Sequence, residues 1–339
     1  MTDHLEPCPH CNCQPDEPPA DSRPTIGVIG GGVLGRALAR GFIESAAQVK
    51  VFDTMPERST ATREEATCST FVFICLPTPA TIQGYADCKP LVEYLSWARD
   101  FIRDKHREER KEERHGTGPR PLFVVKSTVP VGWSQMMFEA YDLPLVHSPE
   151  FLTARIALTD FQVPARNIIG VPTGADLPET TRLHKWADLL DDFYTSRFPG
   201  VPVLRMSSDE SELTKLATNS FFATKVAFFN MLREFCAAQG HDFEAVRGGM
   251  LSDGRIAHAH TASPGPDGMP GFGGTCLPKD LRSLETSLDE AGVSSSILRA
   301  VATENWRQRS PVDPALYAAY GMDRDGEPVK PPAACPSGG

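Results

Sequence analysis

Cys276, Lys279 and Asp280 fall within one short segment, Gly271-Phe-Gly-Gly-Thr-Cys276-Leu-Pro-Lys279-Asp280. A thiol acts as a nucleophile through its thiolate, which nearby positive charge or helix N-terminal amides favour, and Lys279 and the backbone after Pro278 can supply both. Asp280 is then a candidate to position or deprotonate a water. The glycines allow backbone to approach a ligand where a Cβ would obstruct. The plain alternative is a buried cysteine after a glycine turn, since free cysteine usually behaves as a small hydrophobe. A second pair, Lys215 and Asn219, stands four residues apart at the head of an apolar run through Phe221, Phe222, Val226, Phe228, Phe229 and Leu232. At that spacing the two share one helix face. Such polar groups in an apolar helix are costly unless bonded, and a substrate oxygen is one candidate partner; the alternative is a lysine reaching solvent near the helix start.

The elements that must position these groups begin at Thr25-Ile-Gly-Val-Ile-Gly30-Gly-Gly32-Val33-Leu34-Gly35, which reads as strand, glycine turn and helix. Gly30 permits the tight turn, Gly32 lets backbone approach a pyrophosphate, and Gly35 lets the helix pack on the strand, with phosphate oxygens at the helix N-terminus. Val49-Lys-Val-Phe-Asp53 then places a carboxylate 18 residues beyond Gly35, where the ribose 2′-hydroxyl of a dinucleotide would lie. Asp53 disfavours a 2′-phosphate and so selects NAD over NADP, although Arg58 nearby leaves NADP open. Three further strands end in polar groups: Phe71 to Cys75 leads to Thr78, Leu122 to Lys126 leads to Thr128, and Leu145 to His147 leads to Glu150. Singly each of Thr78, Thr128 and Glu150 can be an ordinary turn residue. Together they line one edge, which is how an open parallel sheet assembles a site. Cys75 reads as core.

The long helix is predicted from Ser208 to Gly240, with Asp209 and Glu210 at its positive end and Gly240 as its stop. Apolar on nearly every side, it should be buried all round, between domains or between subunits. The run from Arg99 to Arg114 alternates in sign and reads as a solvated helix. Residues 1–24 and 310–339 read as disordered tails. Cys8, His10, Cys11 and Cys13 lie in the first tail without a second ligand pair elsewhere, so no metal site is expected. A formal charge of −10 over 339 residues argues against a nucleic-acid partner. Without a long apolar run or a basic start followed by an apolar stretch, neither a membrane span nor a secretory signal is expected, and nine scattered cysteines suit a reducing, cytosolic compartment better than a disulfide framework. The expected architecture is α/β: a doubly wound, Rossmann-type dinucleotide-binding domain over 25–205, then a helical domain over 206–309 built on the long buried helix.

With the glycine turn, Leu76-Pro-Thr-Pro79, Lys126-Ser-Thr-Val-Pro-Val-Gly132, Ser148-Pro-Glu-Phe-Leu152, Lys215 with Asn219, Asp253-Gly-Arg255-Ile and the Cys276 loop in this order, the chain from Thr25 to Arg309 resembles the UDP-glucose/GDP-mannose dehydrogenase family. The resemblance implies a two-step oxidation of a nucleotide sugar's primary alcohol to the carboxylate with two NAD. Cys276 is then the nucleophile, Lys215 and Asn219 support the oxyanion and a water, Asp280 assists proton transfer, and Glu150 and Thr128 arrange water and substrate. It also implies cofactor contacts from Val33, Leu34, Asp53, Arg58, Thr78, Thr128 and Lys279. Substrate contacts fall to Glu150, Phe151, Leu152, Lys215, Asn219, Gly273 and Arg255, the last across a homodimer formed through the long helix. The chain departs from the family at Ala154 and Arg155, where a second acidic residue near the cofactor is usual. It also stops at Gly339, so the second nucleotide-binding-type domain that holds UDP is expected to be absent and supplied by a separate partner, or the substrate to be smaller. A two-electron β-hydroxy acid dehydrogenase is the rival enzyme reading, and a non-catalytic subunit that keeps NAD is the rival outside enzymes.

Overall fold

In a computed structural model the described residues are 23–81, 84–111, 121–173 and 178–309. The cysteine-rich N-terminal segment with Cys8, His10, Cys11 and Cys13, and the segment 310–339, lie outside them. Pro24, assigned above to the tail, belongs to the fold: its carbonyl accepts from the Ala47 N–H at 2.9 Å.

Two compact units form, and they do not divide at residue 205. The first comprises residues up to Thr78 and Cys88–Glu212; the second comprises Pro79–Asp87 and the residues from Leu213 onward. The first unit is a seven-stranded sheet of β1 (Thr25–Ile29), β2 (Gln48–Phe52), β3 (Phe71–Ile74), β4 (Leu122–Val125), β5 (Leu145–His147), β6 (Asn167–Val171) and β7 (Val203–Ser207). Their order is β2-β1-β3-β4-β5-β6-β7. β1 to β5 are parallel; β6 runs antiparallel to β5, and β7 parallel to β6. Its helices are α1 (Val33–Phe42), α2 (Arg63–Thr67), α3 (Lys89–Lys111), α4 (Trp133–Tyr141), α5 (Ala157–Gln162) and α6 (Pro178–Arg197).

β3 and β4 are buried at every residue, as strands covered on both faces must be. Side chains alternate between faces along a strand, so one run feeds two cores. Phe71 and Phe73 pack with Phe42 of α1, Phe161 of α5 and Trp186, Phe193 and Tyr194 of α6. Val72 and Ile74 pack with Leu91 and Leu95 of α3 and Trp133 of α4. The chain moves from β1 to β2 on one side and to β3 on the other, so the order reverses at β1 and opens a crevice at the strands' carboxyl ends.

Helix α7 (Ser208–Gln239) begins in the first unit and continues in the second, followed by α8 (Phe243–Leu251), α9 (Leu277–Glu290) and α10 (Ser296–Arg309). Ala223, Val226 and Ala227 of α7, Leu281 of α9, Val301 and Ala302 of α10, and Phe272 from the loop before α9 make one core. The expectation that α7 is buried all round is not met within the single chain. Phe221, Phe228, Met231 and Phe235 are 65, 47, 52 and 58% exposed. They recur at helical spacing on one side, so α7 has two apolar faces and its own unit covers only one. The segment Pro79–Asp87 rests on α9 in the second unit: Tyr85 donates its hydroxyl to Glu290, and a Cβ on Gly84 would stand 2.7 Å from the Arg282 side chain. Among the described residues no helix is long and apolar enough to cross a membrane.

Candidate active site

The glycine turn closes the carboxyl end of β1. Gly30 adopts φ +102°, and a Cβ there would stand 2.6 Å from the Cys75 carbonyl oxygen; one on Gly35 would stand 1.8 Å from the Gly30 carbonyl oxygen. Both contacts are with backbone, so no side chain can be accommodated by a rotamer change. A Cβ on Gly32, by contrast, meets nothing within 4 Å. Gly32 is the N-cap of α1 and makes no side-chain cap bond, so this helix end with its amides suits an anion. Val33 and Leu34 open the helix. Asp53, beyond β2, accepts from the Gly31 N–H at 2.7 Å through one oxygen and from the Met55 N–H at 2.9 Å through the other. Arg58 lies alongside, its carbonyl oxygen 2.9 Å from a Cβ placed on Gly31. An open helix N-terminus with a carboxylate fixed beside it fits a dinucleotide's pyrophosphate and ribose.

The next strand ends are tied to each other. Thr78 donates to the Thr128 carbonyl at 2.8 Å, and Ser127 donates to the Leu76 carbonyl at 2.6 Å. Lys126 is buried and donates to Ser148 Oγ at 3.3 Å and to the Pro149 carbonyl at 3.2 Å, which fixes the turn leading to Glu150. Glu150 accepts from the Leu152 N–H. Phe151 carries the Arg166 guanidinium 3.9 Å from its ring centroid, and Leu152 packs against the core. Burial pushes the Cys75 thiol up to about 12, which removes it as a nucleophile at neutral pH.

Glu212 was not singled out from the sequence, where it reads as one more acidic residue near a helix start. It is fully buried and accepts from the Gly132 N–H at 2.6 Å and the Ser134 N–H at 2.8 Å. Those amides are among the donors that the first turn of α4 leaves unpaired. Burial pushes its carboxyl up to about 7 against the pull of these bonds.

In the second unit Asn219 of α7 donates to Asp280 of α9 at 2.6 Å, and Lys279 pairs with the other Asp280 oxygen. All three are buried, as is Lys215 one turn before Asn219. Cys276 is the N-cap of α9, exposed, with its carbonyl accepting from the Asp280 N–H at 2.9 Å. The thiol thus stands one turn above a buried carboxylate held by an amide and an ammonium. The Lys279 ammonium, expected to act on the thiol, is instead paired with Asp280. Gly273 is half-buried on the approach to Cys276. Arg255 lies on the loop after α8, exposed and paired with Asp253.

Residues 50–188 match the NAD binding domain of the UDP-glucose/GDP-mannose dehydrogenase family, and residues 209–307 match that family's central domain. The chain is 36% identical over 251 residues to the UDP-glucose 6-dehydrogenase of Pseudomonas aeruginosa, an alignment covering 70% of this chain and 49% of that protein. It spans about half the length of such relatives. A UDP-glucose dehydrogenase structure from Pyrobaculum islandicum superposes with a TM-score of 0.68 at 26% identity, over 84% of this chain and 68% of that one. The 3-hydroxyisobutyrate dehydrogenase of Mycobacterium tuberculosis, at 15% identity and a TM-score of 0.61, covers 85% of this chain and 94% of its own; that is a likeness of fold alone. The two matches take in Asp53, Thr78, Thr128 and Glu150 in the first unit and Lys215, Asn219 and Cys276 in the second, with the glycine turn lying just before the first match, and the chain belongs to the UDP-glucose/GDP-mannose dehydrogenase family.

Proposed function

We propose that the chain oxidises the primary alcohol of a nucleotide sugar, of the UDP-glucose type, to the carboxylate in two hydride transfers, with Cys276 holding the intermediate. The observation that carries this reading is the exposed Cys276 at the head of α9, one turn from the buried Asn219–Asp280–Lys279 group. NAD would be held by Gly30 to Gly35 and Asp53 with Arg58, Thr78, Thr128 and Lys279, and would supply the hydride acceptor.

Removal of hydride and a proton from the alcohol gives an aldehyde. The Cys276 sulfur adds to its carbonyl carbon, and the oxygen takes a proton to give a thiohemiacetal. Loss of a second hydride with that proton gives a thioester. Water adds to the thioester carbon, the C–S bond breaks, and the carboxylate leaves with Cys276 restored as the thiol. Asp280 moves protons in these steps, Glu150 and Thr128 arrange water and substrate, and Lys215 and Asn219 stabilise the oxyanions. Such preorganised donors are each worth roughly 3 kcal/mol to the transition state. Phe151, Leu152 and Gly273 line the sugar, and Arg255 reaches the substrate of a second subunit in a dimer that covers the exposed apolar face of α7.

The fold alone also suits a two-electron β-hydroxy acid dehydrogenase, to which the likeness to the 3-hydroxyisobutyrate enzyme points, but that chemistry has no use for the Cys276 loop. Counting NADH formed per sugar consumed separates the readings. We expect two with UDP-glucose, and acid-quenched turnover should leave a sugar nucleotide mass on the Cys276 peptide. One NADH per substrate with no adduct would replace this function with the two-electron reaction.

A further inference from the structure

The segment that presents Cys276 is an arch anchored at both ends. Gly271 and Phe272 are buried, Gly273 is half-buried, Gly274, Thr275 and Cys276 are exposed, and Pro278, Lys279 and Asp280 are buried again. The far anchor is the first turn of α9. The near anchor consists of side chains from two other helices that grip the backbone just before the arch.

Asn305 of α10 accepts from the Phe272 N–H at 2.7 Å through Oδ1 and donates to the Phe272 carbonyl at 2.9 Å through Nδ2. Its carboxamide therefore pairs with one residue's backbone through both groups, as a neighbouring strand would. Asn230 of α7 accepts from the Gly271 N–H at 2.9 Å and from Ser263 Oγ at 2.7 Å, and is itself held by donating to the Val226 carbonyl at 2.8 Å. Arg309 donates to the Pro270 carbonyl at 3.0 Å. Asn230, Asn305 and Arg309 are at most 2% exposed. Gly271 takes φ +72°, and a Cβ there would stand 2.4 Å from Asn305 Oδ1, so a side chain at this position would both strain the turn and displace the clamp. Buried carboxamides are costly unless every group is bonded. Here one bond of Asn230 and both bonds of Asn305 go to the consecutive residues Gly271 and Phe272, a few residues before the nucleophile.

We infer that Asn230 and Asn305 are positioning residues for Cys276: they fix where the arch starts, so that its short exposed span presents the thiol in one place. This rests on Cys276 being the nucleophile, but part of the test does not.

The test compares Asn305→Leu and Asn230→Leu with Asn305→Asp and Asn230→Asp in the full chain. Hydrogen exchange at Gly271 and Phe272, the alkylation rate of Cys276 by iodoacetamide, the Kd for NAD and the kcat and KM for UDP-glucose are read for each. The Leu variants should expose the two amides, alter the Cys276 alkylation rate by about threefold or more, and lower kcat by between about 10- and 100-fold, the cost of an ångström-scale misplacement, with the Kd for NAD within about twofold. Asn230→Asp keeps both acceptor bonds and loses only the bond to the Val226 carbonyl of its own helix, so it should recover most of the lost rate, whereas Asn305→Asp loses its donor bond to the Phe272 carbonyl at the arch and should recover less. If the Leu variants do not fold, the ordering of the two Asp variants in exchange and alkylation carries the test. Faster exchange at Phe272 with alkylation and kcat unchanged would overturn the inference, and so would equal behaviour of the two Asp variants. A wild-type chain that oxidises no sugar would sink the proposed function, while exchange and alkylation would still decide the clamp.

Discussion

The sheet edge of the first unit and the Cys276 arch of the second place their residues by different means. At the sheet edge the backbone does the placing: strand ends and a glycine turn leave little freedom, and Thr78, Thr128 and Glu150 arrive where their strands stop. At the arch, side chains from remote parts of the chain hold a loop that has no regular structure of its own. The first kind of site tolerates variation in side chains and none in certain backbone positions. The second depends on a few buried polar groups, each bonded to a stretch that local sequence cannot identify.

The largest effect that separates the two regions should come from Cys276→Ala. It touches only the arch, so acid formation should be abolished while the Kd for NAD, measured by fluorescence titration, stays within about twofold. In the proposed mechanism the thiol supplies covalent catalysis, for which the other residues offer no substitute. An Ala variant that still makes the acid would show that the second unit's chemistry does not pass through sulfur. The comparison is sharpened from the other side by Asp53→Ser, which touches only the sheet edge. Preference for NAD over NADP should shrink by about tenfold, or 1.4 kcal/mol, with the alkylation rate of Cys276 unchanged. A wild type that prefers NADP at the outset would refute the role given to Asp53.

The smallest effect concerns Glu212, the point where the sheet edge borrows the arch's method and has a backbone turn held by a remote side chain. Its carboxyl is raised from 4.5 to about 7 by burial, so the folded state holds a proton that the unfolded state releases. The stability this contributes is fully present below about pH 4.5 and is lost as pH rises through about 7. Denaturant unfolding of wild type and Glu212→Gln should therefore differ in pH slope across this window, with the wild type losing more stability on the alkaline side. Parallel slopes would mean that the bonds from Gly132 and Ser134 hold Glu212 ionised throughout.

Much of the sheet edge was legible in the sequence because its signals are local. Apolar runs such as Phe71 to Ile74, the glycine spacing and Asp53 are all set by neighbours in the chain, and the structure places them as a doubly wound sheet requires. Helix α7 was legible in extent but not in environment. Its composition shows that apolar residues occur on several sides, not which side its own unit covers. Glu212, Asn230 and Asn305 were missed for one physical reason. Their partners lie 78, 41 and 33 residues away at Ser134, Gly271 and Phe272, and a carboxamide or carboxylate bonding remote backbone leaves no periodic trace. Lys279 shows the same limit: its proximity to Cys276 was visible, its pairing with Asp280 was not.

The segment Pro79–Asp87 bears on how the molecule can be dissected. The chain passes between its two compact units three times, at 78/79, 87/88 and 212/213, so the units are not consecutive stretches of the gene. A fragment ending at Glu212 carries a segment whose support on α9 is gone, and a fragment starting at Leu213 presents α9 without the Tyr85 hydroxyl at Glu290. Neither half is a module that recombination or a truncating cut could move as a single piece, and a clean separation would need residues 79–87 excised from one fragment and supplied to the other.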